Sequence, residues 1–119
     1  MTSKALISVV VPVYNEAEGI TLFHERTTEA LKALPDCDFE LVYVDDGSAD
    51  GSYEIMRGFA DSDPRVRLVK FSRNFGHQIA ITAGLDYAQG DAVVFIDADL
   101  QDPPERITDL VSKWREGFD

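Results

Sequence analysis

Asp97 and Asp99 stand two residues apart where an apolar segment ends, so in extended chain their side chains share one face and converge on one ion. Gln101 continues the alternation. Two carboxylates and an amide oxygen are hard donors suited to Mg²⁺ or Mn²⁺, ions that keep positions open for substrate phosphates. The plain alternative is a pair of surface acids capping the next helix; placement directly after a buried strand favours the ion. A second acidic pair, Asp45 and Asp46, ends another apolar segment and runs into Gly47-Ser48, which read as turn residues satisfying local backbone. Two adjacent acids at the end of a buried strand are costly without donors. A nucleobase N–H or a ribose hydroxyl is the expected partner, with Asp46 as the contact to the base.

Other polar residues fall close to these acids. Tyr14 offers a ring face for stacking and Glu16 an acceptor, while Pro12 fixes the backbone at a strand exit. The alternative for Tyr14 is a half-buried aromatic. Arg73, near Lys70, concentrates positive charge in an acidic chain, and guanidinium suits phosphate geometry; a solvated loop arginine is the competing reading. His77, at a helix start, reads either as a phosphate contact or, more commonly, as a histidine satisfying local backbone. His24 carries no functional signal, and Cys37, without basic neighbours, reads as structural.

Four apolar, β-branched segments must position these residues: Leu6 to Val11, Phe39 to Val44, Val66 to Phe71 and Ala92 to Ile96. Stretches of helical period alternate with them. The first carries Ile20, Phe23, Thr27, Ala30, Leu31 and Leu34 on one stripe and ends at Pro35. The second starts near Ser52, with Asp50 or Ser52 as N-cap, and buries Tyr53, Ile55, Met56 and Phe59. The third runs from about His77 to Ala88, with Ala80, Ala83, Gly84 and Ala88 small enough for close approach to a sheet and Gly90 as its stop. The fourth begins at Pro103-Pro104-Glu105 and aligns Ile107, Leu110, Val111 and Trp114. Strand and helix repeated four times give an α/β, doubly wound, three-layer parallel sheet, Rossmann-like, with right-handed crossovers and strand order 3-2-1-4. In such sheets the ligand crevice lies beyond the carboxyl ends of the strands. The residues singled out above follow those ends, whereas the opposite loops are ordinary Pro, Asp and Gly turns.

The 119 residues suit one domain. With 45% hydrophobic and 28% charged residues the composition is that of a globular protein, not a disordered or collagen-like one. A net charge of -11 opposes non-specific binding to nucleic acid or to an anionic membrane. The single cysteine excludes an internal disulfide and suits a reducing, cytosolic compartment. The longest apolar run, Leu6 to Val13, is far short of the ~20 residues of a membrane span. Four strands leave open sheet edges, so self-association is expected unless further chain covers them.

Taken together, Val11-Pro-Val-Tyr-Asn-Glu16, Val44-Asp-Asp-Gly-Ser48 and Asp97-Ala-Asp-Leu-Gln-Asp-Pro-Pro-Glu105 resemble family 2 glycosyltransferases of the GT-A fold. Ser72-Arg-Asn-Phe-Gly-His77 and Thr82-Ala-Gly-Leu85 most resemble the polyprenyl-phosphate glycosyltransferases, such as dolichyl-phosphate mannose synthase and the bactoprenol glucosyltransferases. The resemblance implies inverting transfer of a hexose from a UDP- or GDP-sugar to a polyprenyl phosphate at the cytoplasmic face of a membrane, with Mg²⁺ or Mn²⁺ holding the leaving diphosphate. It places Asp97, Asp99 and Gln101 at metal positions and Pro12, Tyr14, Glu16 and Asp46 at nucleotide positions. Asp45, Arg73, Asp97 and Ala98 complete the expected donor-contacting set. Family domains continue past Asp119 with acceptor-side strands that carry the catalytic base, so residues 1–119 are expected to be a donor-binding portion, inactive alone, with the base outside it. Asp102 and Glu105 are not assigned that role. The competing class is a Mg²⁺-binding phosphoacceptor or regulatory α/β module, in which acids gather around early strands.

Overall fold

A computed structural model describes residues 5–34, 37–98 and 103–115. The chain alternates β1 (Ala5–Val13), α1 (Ile20–Lys32), β2 (Cys37–Asp45), α2 (Ser52–Ser62), β3 (Val66–Lys70), α3 (His77–Tyr87), β4 (Ala92–Phe95) and α4 (Arg106–Arg115). The sheet has the order β3-β2-β1-β4, and every pairing is parallel, as the alternation of strand and helix requires. β1 runs further than its apolar segment and includes Pro12. That is tolerated because even-numbered residues of β1 bond toward β4, where the last pairing is Val10 with Phe95. The final bond on that side is Ile96 N–H to Val10 O, so the missing N–H of Pro12 points beyond the ladder.

Strand alternation sorts side chains onto two unlike faces. One carries Val9, Val11, Leu41, Tyr43 and Ile96 and is covered by α1, α2 and α4 through Ile20, Phe23, Met56 and Ile107. The other carries Val10, Val42 and Val44 and is covered by α3 through Ala80. Here the small residues serve as expected. A Cβ on Gly84 would come within 2.2 Å of Val10 Cγ1, so glycine sets how closely α3 lies on the sheet. Cys37 packs against the wider core. His24 joins it as a satisfied histidine: Nδ1 lies 2.7 Å from the Tyr43 hydroxyl and the ring stacks on Phe59 at 3.9 Å. Burial pulls its pKa below the ordinary value against the opposing pull of the Asp63 carboxylate.

Several local expectations are corrected. β4 is the most apolar segment, yet as an edge strand its Phe95 is 44% exposed; composition does not distinguish a central strand from an edge. Leu110 is also exposed: α4 buries Ile107 and Val111, and Leu110 lines an open hollow beside the edge of β4. The cap position of α2 is Gly51 at φ 92, not Asp50 or Ser52. Asp50 acts from outside, accepting Ser52 N–H and hydroxyl. α3 stops at Ala88 in extended conformation, and Gly90 serves packing: a Cβ there would lie 2.5 Å from Ser8 Oγ. Pro103, Pro104 and Glu105 form the turn that feeds α4. No helix among the described residues is long and apolar enough to cross a membrane.

Candidate functional site

The loops after β1 and β2 are zipped together by short polar side chains. Asn15, at φ 54, donates its N–H to Ser48 Oγ at 2.9 Å, and its side-chain oxygen accepts Ala49 N–H at 2.8 Å. Asparagine is among the few non-glycine residues that adopt this left-handed conformation readily. Glu16 N–H reaches Ser52 Oγ at 2.9 Å, and Ala17 N–H reaches Asp50 Oδ2 at 3.0 Å. Desolvation pushes the Asp50 pKa up, but hydrogen bonds from Ser52 and Ala17 outweigh it and hold the carboxyl below its ordinary value. Ser48 therefore works across the loops as well as locally, where its N–H donates to Asp45 Oδ1 at 3.2 Å.

The loop after β3 lies on top of Gly47. At φ 78, a Cβ there would stand 2.4 Å from both the Arg73 carbonyl carbon and the Asn74 nitrogen, so both conformation and contact require glycine. The neighbouring Asp46 secures the same loop. Its carboxylate accepts Phe75 N–H at 2.7 Å, Gly76 N–H at 3.1 Å and Asn74 Nδ2 at 3.1 Å. The donors that a buried acid demands are thus supplied from inside the chain. The two adjacent acids part company: Asp46 faces the α3 side, while Asp45 falls on the opposite face, 1% exposed, with Oδ2 lacking a partner among the described residues.

A cleft of about 310 Å³ opens above the strand ends, lined by Pro12, Val13, Tyr14, Asp46, Asn74, Gly76 and His77. Tyr14 is 50% exposed, leaving its ring available to the cleft. An adjoining hollow of about 110 Å³ is lined by Pro12, His77, Ile81, Phe95, Ile96 and Asp97. Pro12 and His77 form the wall between them. His77 turns its ring to a side chain, with Nε2 2.8 Å from Asp97 Oδ1.

Other expected residues fall elsewhere. Glu16 is half-buried, and its carbonyl accepts the Gly19 and Ile20 N–H groups at the start of α1. Arg73 lies over the Phe75 ring at 4.4 Å and Lys70 over the Tyr53 ring at 4.2 Å, so the two cations are spread on aromatic faces and do not line the cleft. Ala98 is 3% exposed, its methyl packed in the wider core. Asp99 and Gln101 lie outside the described residues. Asn74 and Gly76 are site residues that sequence reasoning passed over; the signal was the Asn-Phe-Gly run between a strand and a helix.

Asp97 fits a hard divalent cation by chemistry: it is a carboxylate at a strand end, half-exposed, with one oxygen turned to His77. Among the described residues no three acidic, histidine or cysteine side chains are grouped to hold a metal; the further donors expected from sequence, Asp99 and Gln101, are not among them.

Known proteins resemble this chain in sequence and in fold. A glycosyltransferase of Bacillus subtilis strain 168, YkcC, itself uncharacterised, is 55% identical over 119 residues, covering 100% of this chain and 36% of its own length. The prophage bactoprenol glucosyl transferase homolog of Escherichia coli K12 is 47% identical over 113 residues, or 95% of this chain and 37% of that protein. The chain thus spans about a third of these curated relatives. Among solved structures, the mannosyltransferase PcManGT from Pyrobaculum calidifontis, in complex with GDP-Man and Mn²⁺, superposes with a TM-score of 0.76 at 30% identity, over 92% of this chain and 32% of that one. The sheet order and this likeness give the GT-A fold. Residues 8–119 match the family Glycosyl transferase family 2, and the chain belongs to that family.

Proposed function

We propose that the cleft binds the nucleoside diphosphate of a UDP- or GDP-sugar, and that the whole protein transfers the hexose to a polyprenyl phosphate with inversion. The observation that supports this best is the cleft itself, above the strand ends with Tyr14 and Asp46 on one side and Asp97 past its shared His77 wall. Ring stacking on Tyr14 orients the base. Asp46, its oxygens taken up by the Asn74 to Gly76 loop, fixes the cleft floor against which the base and ribose rest. Asp97, Asp99 and Gln101 would hold Mg²⁺ or Mn²⁺. When bound, the cation supplies positive charge to a departing diphosphate that the chain's few lysines do not neutralise. No described acid is assigned as base. Reading the acceptor as a polyprenyl phosphate draws support from the bactoprenol-named relative.

Calorimetry with UDP and GDP, each with Mn²⁺ or with EDTA, tests the proposal. One of the two nucleotides is expected to bind only with Mn²⁺, and Asp97→Ala is expected to abolish that binding. Folded protein that binds neither nucleotide overturns it.

A further inference from the structure

We infer that His77 is a positioning residue for Asp97, its Nε2–H holding Oδ1 so that the other oxygen is presented to the divalent cation; the inference rests on the donor-site reading above. An ionised carboxylate only accepts, so the hydrogen in the 2.8 Å contact belongs to Nε2. A nitrogen carrying that hydrogen has no lone pair for a metal, so at this contact Nε2 supports the carboxylate and does not coordinate. The pair is not there for stability. Its side chains are 59% and 51% exposed, and exposed pairs of this kind contribute little to folding.

What fixes the imidazole is its backbone. Gly76, at φ 107, and Phe75 both donate their N–H groups to Asp46, so the residue before His77 is tied to the end of β2. β2 and β4 are separated by β1, which puts their ends about 10 Å apart, too far for Asp46 and Asp97 to share a hydrogen bond. The first turn of α3 bridges that gap. Asp46 holds the loop, the loop places His77, and His77 orients Asp97. A histidine shared by the walls of both hollows is thereby coupled to both halves of the proposed donor site. Such supporting contacts typically alter metal affinity by about 10- to 100-fold.

The test is Mn²⁺ affinity, read from the electron paramagnetic resonance signal of the free ion, in wild type, His77→Ala, His77→Gln and Asp97→Ala, with circular dichroism confirming folding. His77→Ala is expected to weaken Mn²⁺ by about tenfold or more. His77→Gln keeps an N–H donor and is expected to recover part of the loss, and pulsed spectra of wild type should show no directly bound nitrogen. Unchanged affinity in His77→Ala, no recovery in His77→Gln, or a coordinated nitrogen overturns the positioning role while leaving the donor site standing. Wild type that binds no Mn²⁺, or binds it equally well as Asp97→Ala, overturns the donor-site reading and this inference with it.

Discussion

Glu40 and Asp46 lie six residues apart on β2 and beyond its end, face the same side of the sheet, and each takes backbone N–H groups flanking α3. Glu40 Oε2 accepts Gln89 N–H at 2.7 Å, after the helix; Asp46 accepts Phe75 and Gly76 N–H before it. One strand thus clips both ends of the helix. The surroundings differ. At the Glu40 end Ser8 donates its hydroxyl at 2.5 Å and accepts Gly90 N–H, while Arg67 bridges the carboxylate and Tyr87 O. That end is neutralised and filled. At the Asp46 end the described donors are uncharged, and the carboxylate borders a cleft. The same device closed by a guanidinium is architecture; left beside open space, it is architecture that also shapes a binding site.

Substitutions can break this contrast, beginning with Glu40→Ala. Removing the buried carboxylate leaves Ser8 and the Gln89 N–H without their acceptor and the partly exposed Arg67 without its partner, an expected loss of about 2 to 3 kcal/mol in urea unfolding. Nucleotide affinity of the folded fraction should not change. Loss of affinity in proportion to stability would erase the distinction between the two ends. Gly47→Ala is next, at about 2 to 3 kcal/mol, from a strained φ and a Cβ driven into the Arg73–Asn74 backbone. Because the displaced loop forms the cleft floor, nucleotide binding should fall too; a variant with wild-type binding and stability would mean that the loop does not rest on Gly47.

Asp46→Ala sharpens the comparison. It should cost about 2 kcal/mol for its unsatisfied donors and, unlike Glu40→Ala, also lower nucleotide affinity tenfold or more. Equal affinity in the variant and wild type would make Asp46 purely structural. A smaller effect is acid sensitivity. Burial pushes the Glu40 pKa up, but hydrogen bonds from Ser8, Gln89 and Arg67 and the Arg67 charge outweigh it, so the folded value lies below the ordinary 4.5. The stabilisation is present above that ordinary value and is lost as pH falls through the folded one. Glu40→Gln should remove this part of the acid transition; an unaltered transition would show that Glu40 is not its source. The smallest effect is expected from Arg73→Ala, which loses a surface cation–π contact of about 0.5 to 1 kcal/mol. Little change in nucleotide binding is expected, and a tenfold drop would return Arg73 to the site.

Sheet order, helix positions and the placement of the rim were legible because buried strands, helical stripes and crossover handedness are strong local signals. The parity of the acids was not. Nothing in Asp45-Asp46 tells which side chain faces α3, because that depends on where the strand register ends against Val13. The Glu40 network was invisible for a related reason: a charged residue in an apolar strand announces neither its burial nor the Arg67 and Ser8 that meet it from neighbouring strands. Gly47 read as a turn glycine, yet its stricter role comes from a loop some 26 residues later lying on it, which sequence proximity does not reveal. His77 was read against its own backbone, whereas its partner arrives from the loop after β4, 20 residues later.

A crystal structure with UDP or GDP and Mn²⁺ tests the central claim most directly. The nucleotide should occupy the cleft between Tyr14 and Asp46, with the anomalous signal of manganese at Asp97. Nucleotide seated on another surface, or manganese away from Asp97, would contradict it.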